Sequence, residues 1–408
     1  MDYQSLFADR IGGASFGLDT AIYKFEKIKR AKAAARAARP DVEILDFGVG
    51  EPDQMAPEII RESLKKAVDD PENRGYADNG IPQFKEAAAH YMEQFFGVSD
   101  LDPATEINHC IGAKPALAML PLCFINPGDV LLTTVPGYPV LATHTKYVGG
   151  EVYPLPLTQE NGFFPDLDSI PAGVAAKAKL FYVNYPNNPT GTAPTAEFYD
   201  RLIAFAKQHQ ILIIQDAAYA TLIYDQPRIS IFSRPGGKDV ALEIHSMSKS
   251  YNMTGWRLGF VAGPAPAVKA FAEVKDNIDS GQFKAIQVAA CAGIADIEIS
   301  ESIRAHYERR LRSMVEALRD VGFDAHMPGG SFFLYLPAPV GAGDQTFANA
   351  EEASQHLIRE ASVSTVPWDD AGAYLRFSAT FESAGEADDA RVIAELKSRL
   401  SALNLRFA

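Results

Sequence analysis

Five short apolar runs constrain this chain more than any other feature. They are DVLLTT (129–134), KLFYVN (179–184), ILIIQD (211–216), VALEIHS (240–246) and RLGFVAG (257–263). Their hydrophobicity is continuous rather than alternating, which marks strands buried on both faces, and a sheet covered on both faces is usually a parallel one. Helical patterns such as AEFYDRLIAFAKQH (196–209) lie between several of them. The expectation is an α/β fold with a largely parallel sheet flanked by helices.

Other elements read from their end signals. GIPQFKEAAAHYMEQFFG (80–97) carries Pro82 near its start and Gly97 after its end, as helices do. KRAKAAARAARP (29–40) reads as a helix stopped by Pro40, and VEILDF (42–47) as a strand. From about 298 the pattern changes to a long helix ending at Gly322, SFFLYL, a helix near 349–361, the strand YLRFSA and a final helix to about 402. This predicts three parts: an arm at 1–48 that joins a smaller domain, a large domain at 49–297, and the small α/β domain at 298–408.

Composition removes several classes of function. Lys and Arg total 38 against 52 Asp and Glu, a formal net charge of -14. Such a surface repels nucleic acid and anionic membrane, so an anionic ligand needs a local basic pocket. Three cysteines without CxxC spacing argue against a disulfide framework or zinc site, and eight histidines without paired spacing argue against a metal site altogether. MDYQSLFADRIGG does not resemble a secretory signal, and the apolar runs fall short of the roughly 20 residues of a membrane span. A reducing cytoplasm is the expected location.

The polar residues at the carboxyl ends of the apolar runs carry the chemistry. Asn184, Asp216 and Ser246 each end one run, and open α/β sheets bind ligands beyond those strand ends. Lys249 follows three residues after Ser246, among Ser246, Ser248 and Ser250, with Arg257 eight positions on. Desolvation and neighbouring cations turn an amine into a nucleophile, while hydroxyls and a guanidinium hold phosphate. The group suits an aldehyde-bearing phosphate ester bound as an imine to Lys249; a solvated surface lysine is the plainer alternative. Asp216 is placed to pair with a protonated ring nitrogen, or else to cap a helix or form an interdomain ion pair, and Tyr219 could reach the same ring.

Further candidates are less specific. GAKPALAML (112–120) is a turn entering a helix, where Ala113 and Lys114 favour an anion. Tyr138 in VPGYPV could cover an aromatic ring or simply half-bury in a turn. DFGVGEPD (46–53) is not a dinucleotide fingerprint, because Asp53 stands where the third glycine belongs; Gly50 instead allows a substrate close to the backbone. Arg376 in YLRFSAT could grip a substrate carboxylate from the smaller domain.

Together GVGEPD, RGYADNGIPQFKEA, GAKPAL, YPNNPTG, DAAY, SMSKSYNMTGWRLG and YLRFSAT resemble, in order and over nearly the whole chain, the fold-type I, pyridoxal 5′-phosphate-dependent class I/II aminotransferases. The resemblance implies a large domain with a mostly parallel seven-stranded sheet plus a smaller α/β domain. It implies that Lys249 bonds the cofactor aldehyde and later moves the proton. Asp216 pairs with the ring nitrogen, Tyr219 and Asn188 hold the phenolic oxygen, and Tyr138 stacks on the ring. Ala113, Lys114, Ser246, Ser248 and Arg257 carry the phosphate, and Arg376 takes the substrate α-carboxylate with Gly50 and Asn188. Tyr76 comes from the neighbouring subunit of a homodimer.

Within the family, YKFEKIKRAK, GAK and KDNIDSGQFKAIQ (275–287) are most similar to the branch acting on LL-diaminopimelate and 2-oxoglutarate, in lysine and peptidoglycan biosynthesis. That likeness implies Tyr23 at the distal end of the substrate and Ser280 or Gln282 reaching the partner's site. GVGEPD and DSG depart from the best-known members, which carry an Ile-Gly-Asp sequence and an Asn-Gly pair. Aspartate or alanine aminotransfer, a pyridoxal-phosphate lyase and a non-catalytic sensor of a transcription regulator remain the alternatives. The last needs a fused helix-turn-helix, which neither the arm nor the acidity supplies.

Overall fold

The apolar runs assemble into one seven-stranded sheet in a computed structural model that describes Met1, residues 3–18 and residues 24–408. In chain order the strands are β1 (Ile107–Cys110), β2 (Val130–Val135), β3 (Glu151–Pro156), β4 (Ala178–Asn184), β5 (Leu212–Asp216), β6 (Ala241–Ser246) and β7 (Gly259–Ala262). Their spatial order is β1-β7-β6-β5-β4-β2-β3, and only β7 runs antiparallel to its neighbours. Sequence reading did not find β1 and β3, the two edges. INHC is short and half polar, and EVYPLP has two prolines, which an edge strand tolerates because its outer N–H groups need no partner.

Strict two-residue alternation explains why the central runs are apolar throughout. On β4, Phe181 and Val183 enter a core shared with the helices Pro82–Phe96 and Ala196–His209, while Leu180 and Tyr182 enter a second core against the helix Ala113–Phe124. Helix ends follow local chemistry. Gly97 takes the left-handed conformation (φ 68°) that ends its helix, and the Thr195 hydroxyl accepts from Phe198 N at 3.1 Å to start the next.

A further core gathers the long helix Ile297–Asp320, the strands Phe333–Pro337 and Tyr374–Ser378, and the helix Glu386–Ser401. The N-terminal helix is described over Lys24–Ala38, so it already covers residues before the expected start at 29 and stops one residue short of the expected end, and its Ile28 and Ala35 pack on Ile358, Val366 and Trp368. The strand expected over 42–47 is only Leu45–Asp46, pairing parallel with Val363–Ser364. The helix expected near 349–361 is α-helical over Ala350–His356 and wound wider over Leu357–Ala361. No helix among the described residues is long and apolar enough to cross a membrane.

Arg310 ties these parts together. Only 2% exposed, it pairs with Asp53 Oδ2 at 3.1 Å and Asp389 Oδ1 at 2.8 Å, and its guanidinium lies 4.2 Å from the Phe381 ring. Burial opposes ionisation of both acids, but hydrogen bonds and the Arg310 charge hold them below the usual carboxylate range. Depressed folded-state values mean stability that is fully present above the unfolded carboxylate range and lost as pH falls below it through the folded values. Arg310→Met is expected to strand two buried carboxylates and cost roughly 3–5 kcal/mol, read as a lower denaturant midpoint at neutral pH that recovers in part on mild acidification.

Candidate functional site

The parity that buries the strands also aims their last residues. Asn184, Asp216 and Ser246 share a face with Leu180, Ile214 and Ile244, and all three line one cavity with Ala113 and Lys114 at the start of the helix Ala113–Phe124. Asn184 lies in register with Asp216; its Nδ2 donates to the Asp216 carbonyl at 2.8 Å, and its Oδ1 accepts from Asn188 N at 2.9 Å. This one side chain therefore fastens the Asn188 loop to the Asp216 strand. Sequence reading put Asn184 at the strand end but gave it no role.

Asp216 is 5% exposed. Its Oδ1 accepts from Ala218 N and its Oδ2 from the Tyr182 hydroxyl, each at 3.2 Å. Burial pushes the carboxyl up to about 6, against the pull of those two donors and the charges of His245 and Lys249. Asp216 is thus a buried carboxyl with both oxygens anchored and able to take a cationic partner.

Lys249 lies in the turn after Ser246 and donates to the Gly50 carbonyl at 3.0 Å. Burial pulls its amine down to about 8; Arg257 and Arg376 add to this, while Glu51 and Asp216 oppose it. A neutral amine is the form that attacks an aldehyde. In cofactor-free protein, the rate of covalent aldehyde capture is therefore expected to level off above about pH 8, rather than at the roughly 10.4 of a free lysine; a stopped-flow pH profile reads this directly.

Beside the amine is an anion cradle. Arg257 adopts φ 58°, and its Nη1 donates to Ser248 Oγ at 3.2 Å and to the Thr254 carbonyl at 2.7 Å. Gly112 (φ 81°) begins the helix Ala113–Phe124, and a Cβ there would overlap the Arg257 guanidinium. No side chain caps that helix start, so the N–H groups of Ala113 and Lys114 and the positive dipole end are available to an anion. Gly112 escaped the sequence reading because its obstacle is 145 residues away in the chain.

Arg376 closes the opposite side. It is 4% exposed, yet its donors meet only the Asn188 amide oxygen (2.8 Å) and the Gly48 carbonyl (3.0 Å), with no acid, and Nε has no partner among the described residues. Its carbon lies 4.1 Å from the Phe333 ring, and burial pulls its guanidinium down to about 10. A buried cation without an anion is costly; a substrate carboxylate meets that need. Gly50 faces it, since a Cβ there would stand 3.6 Å from Arg376 Nη2.

One cavity of about 250 Å³ thus brings together Gly50, Ala113, Lys114, Tyr138, Asn188 and Asp216 with Tyr219, Ser246, Ser248, Lys249 and Arg257. A neighbouring cavity of about 440 Å³ joins Gly50 and Lys249 to Arg376 and to Lys29 and Glu51 at its rim. Three candidates lie outside both cavities, among them Gln282, whose Nε2 donates to the Trp256 carbonyl. Tyr76 is 82% exposed, and Ser280 is exposed with its carbonyl accepting from Asp78 N at 3.1 Å. Tyr23 lies outside the described residues.

The sequence pattern that defines the family "Aminotransferase class I and II" matches residues 42–393. The chain belongs to this family. It is 53% identical to proteins named LL-diaminopimelate aminotransferase from Methanocaldococcus jannaschii and Methanococcus maripaludis, covering 99% of both chains in each case. Among solved structures, substrate-bound BacF from Bacillus subtilis superposes with TM-score 0.87 at 31% identity, covering 98% of each chain. The fold is that of the fold-type I aminotransferases, and the cofactor of this aminotransferase is pyridoxal 5′-phosphate. The residues present fit that group: an uncapped helix start and Arg257 suit its phosphate, a buried carboxylate its ring nitrogen, and an amine that burial pulls to about 8 its aldehyde.

Proposed function

We propose that this chain transfers an amino group from LL-2,6-diaminopimelate to 2-oxoglutarate, yielding tetrahydrodipicolinate and glutamate. The likeness to two LL-diaminopimelate aminotransferases over essentially the full length of all three chains carries this reading. The rim supports it. The far end of diaminopimelate bears a second ammonium and a second carboxylate, and Glu51 and Lys29 offer the opposite charges beside Arg376.

Bound pyridoxal phosphate supplies an electron sink for a carbanion at the substrate Cα. Lys249 would hold the cofactor between turnovers and, when its amine is free, would act as the base that takes the substrate Cα proton and moves it during the transfer. Asp216 keeps the ring nitrogen protonated, Tyr219 and Asn188 hold the phenolic oxygen, and Tyr138 covers the ring. Ala113, Lys114, Ser246, Ser248 and Arg257 bind the phosphate. Arg376, with Gly50 and Asn188, orients the α-carboxylate. Tyr76, exposed on its own subunit, reaches the cofactor site of a partner in a homodimer, Tyr23 contacts the distal end of the substrate, and Ser280 or Gln282 reaches the partner's site. The region 298–408 with the arm 1–48 moves against 49–297 to enclose the site, and the enzyme works in the cytoplasm, in lysine and peptidoglycan biosynthesis.

Half-reactions test the assignment. The purified holoenzyme, mixed separately with LL- and meso-diaminopimelate, aspartate and alanine, is expected to lose its lysine-linked absorbance fastest with the LL isomer. Conversion by aspartate or alanine alone overturns it in favour of those activities, and release of ammonia without an amino acceptor points to a lyase.

A further inference from the structure

Tyr182 is a residue that packing alone does not account for. It is 1% exposed on β4, on the sheet face built from Leu131, Leu180, Ile214 and Leu242. A phenylalanine would fill that apolar place without bringing in a hydroxyl that must find a partner. The partner it finds is Asp216 Oδ2, at 3.2 Å.

We infer that Tyr182 is a positioning residue for the cofactor, its phenol donating to Asp216 Oδ2 so that the carboxylate stays ionised and turned toward the ring nitrogen. The inference rests on the reading that Asp216 faces that nitrogen. Ala218 N holds Oδ1 and Tyr182 holds Oδ2, so both oxygens are anchored from the protein side and the carboxylate cannot rotate without losing a donor. The other titratable groups that act on Asp216 are Lys249, Tyr219 and, from the opposite face of the sheet where it packs on Tyr91 and Phe260, His245 of β6. His245 is engaged with Glu243 at 3.0 Å and Lys249 with the Gly50 carbonyl, which leaves Tyr182 as the side-chain donor to the acid. A donor to the ionised form favours that form, so its loss raises the proton affinity of Asp216.

Tyr182→Phe separates this role from a structural one. Two readouts precede activity: the titration of Asp216 in cofactor-free protein labelled with 13C-aspartate, and the 15N shift of ring-labelled pyridoxal phosphate in the holoenzyme. The Asp216 titration is expected to move to higher pH, and the ring-nitrogen shift toward the unprotonated value as the shared proton passes to the acid. With them kcat/KM is expected to fall about 10- to 100-fold, as for a hydrogen bond to a charged group. An Asp216 titration and a ring shift that both stay at wild-type values overturn the inference. A wild-type ring nitrogen that is already unprotonated instead sinks the role of Asp216. Should Tyr182→Phe not fold, 3-fluorotyrosine at 182, a stronger donor of nearly the same shape, is expected to move the Asp216 titration to lower pH; no movement there overturns the inference equally.

Discussion

Lys249→Ala is expected to lower turnover by ~10⁴-fold or more, the range lost when a positioned general base is removed together with covalent attachment. The lysine-linked absorbance band should vanish while the phosphate cradle still binds the cofactor. Both effects share one cause. The Lys249 amine is buried beside Arg257, Arg376 and Asp216 and held by the Gly50 carbonyl at 3.0 Å, and no other lysine among the described residues borders both cavities. Stopped-flow spectra and single-turnover rates check it; near-native turnover by the variant would refute the role.

The second large effect is expected at Arg376. Arg376→Met removes the buried cation proposed to take the substrate α-carboxylate. Truncating one member of a buried charged pair costs roughly 2–5 kcal/mol, or about 30- to 5,000-fold in kcat/KM. Stability should move the other way. Arg376 is 4% exposed and meets amide and carbonyl oxygens but no acid among the described residues, so its removal relieves an uncompensated buried charge. The expected pair of results is a collapse in kcat/KM and a higher unfolding midpoint for the cofactor-free protein. A variant that loses stability and keeps kcat/KM would show Arg376 to be structural. Arg310, buried as deeply but between Asp53 and Asp389, is the contrasting case, because its replacement leaves acids behind.

Strand burial and the placement of the site were legible for the same reason. Side chains alternate along a strand, so runs such as KLFYVN and ILIIQD had to be covered on both faces and had to present Asn184 and Asp216 beyond their ends. Lys249 could be picked out because it follows such a strand within three residues and sits among serines. These are local regularities, and a linear chain displays them. The edge strands were not legible, since INHC and EVYPLP owe their extended form to neighbours rather than to their own apolar pattern.

Contacts between distant residues belong to the tertiary structure. The register that sets Asn184 beside Asp216, the Tyr182 phenol on the same acid, the overlap a side chain at Gly112 would have with Arg257, and the use of Asp53 to neutralise Arg310 all join segments whose pairing depends on how the chain closes. So does the difference between two buried arginines, one satisfied by acids and one left to a ligand. The chain alone determined which residue types stand at the ends of the strands, because alternation and burial act over a few residues. Only folding decided which of them are neutralised by one another and which still lack a counter-charge, because that depends on distance through space and on the removal of water.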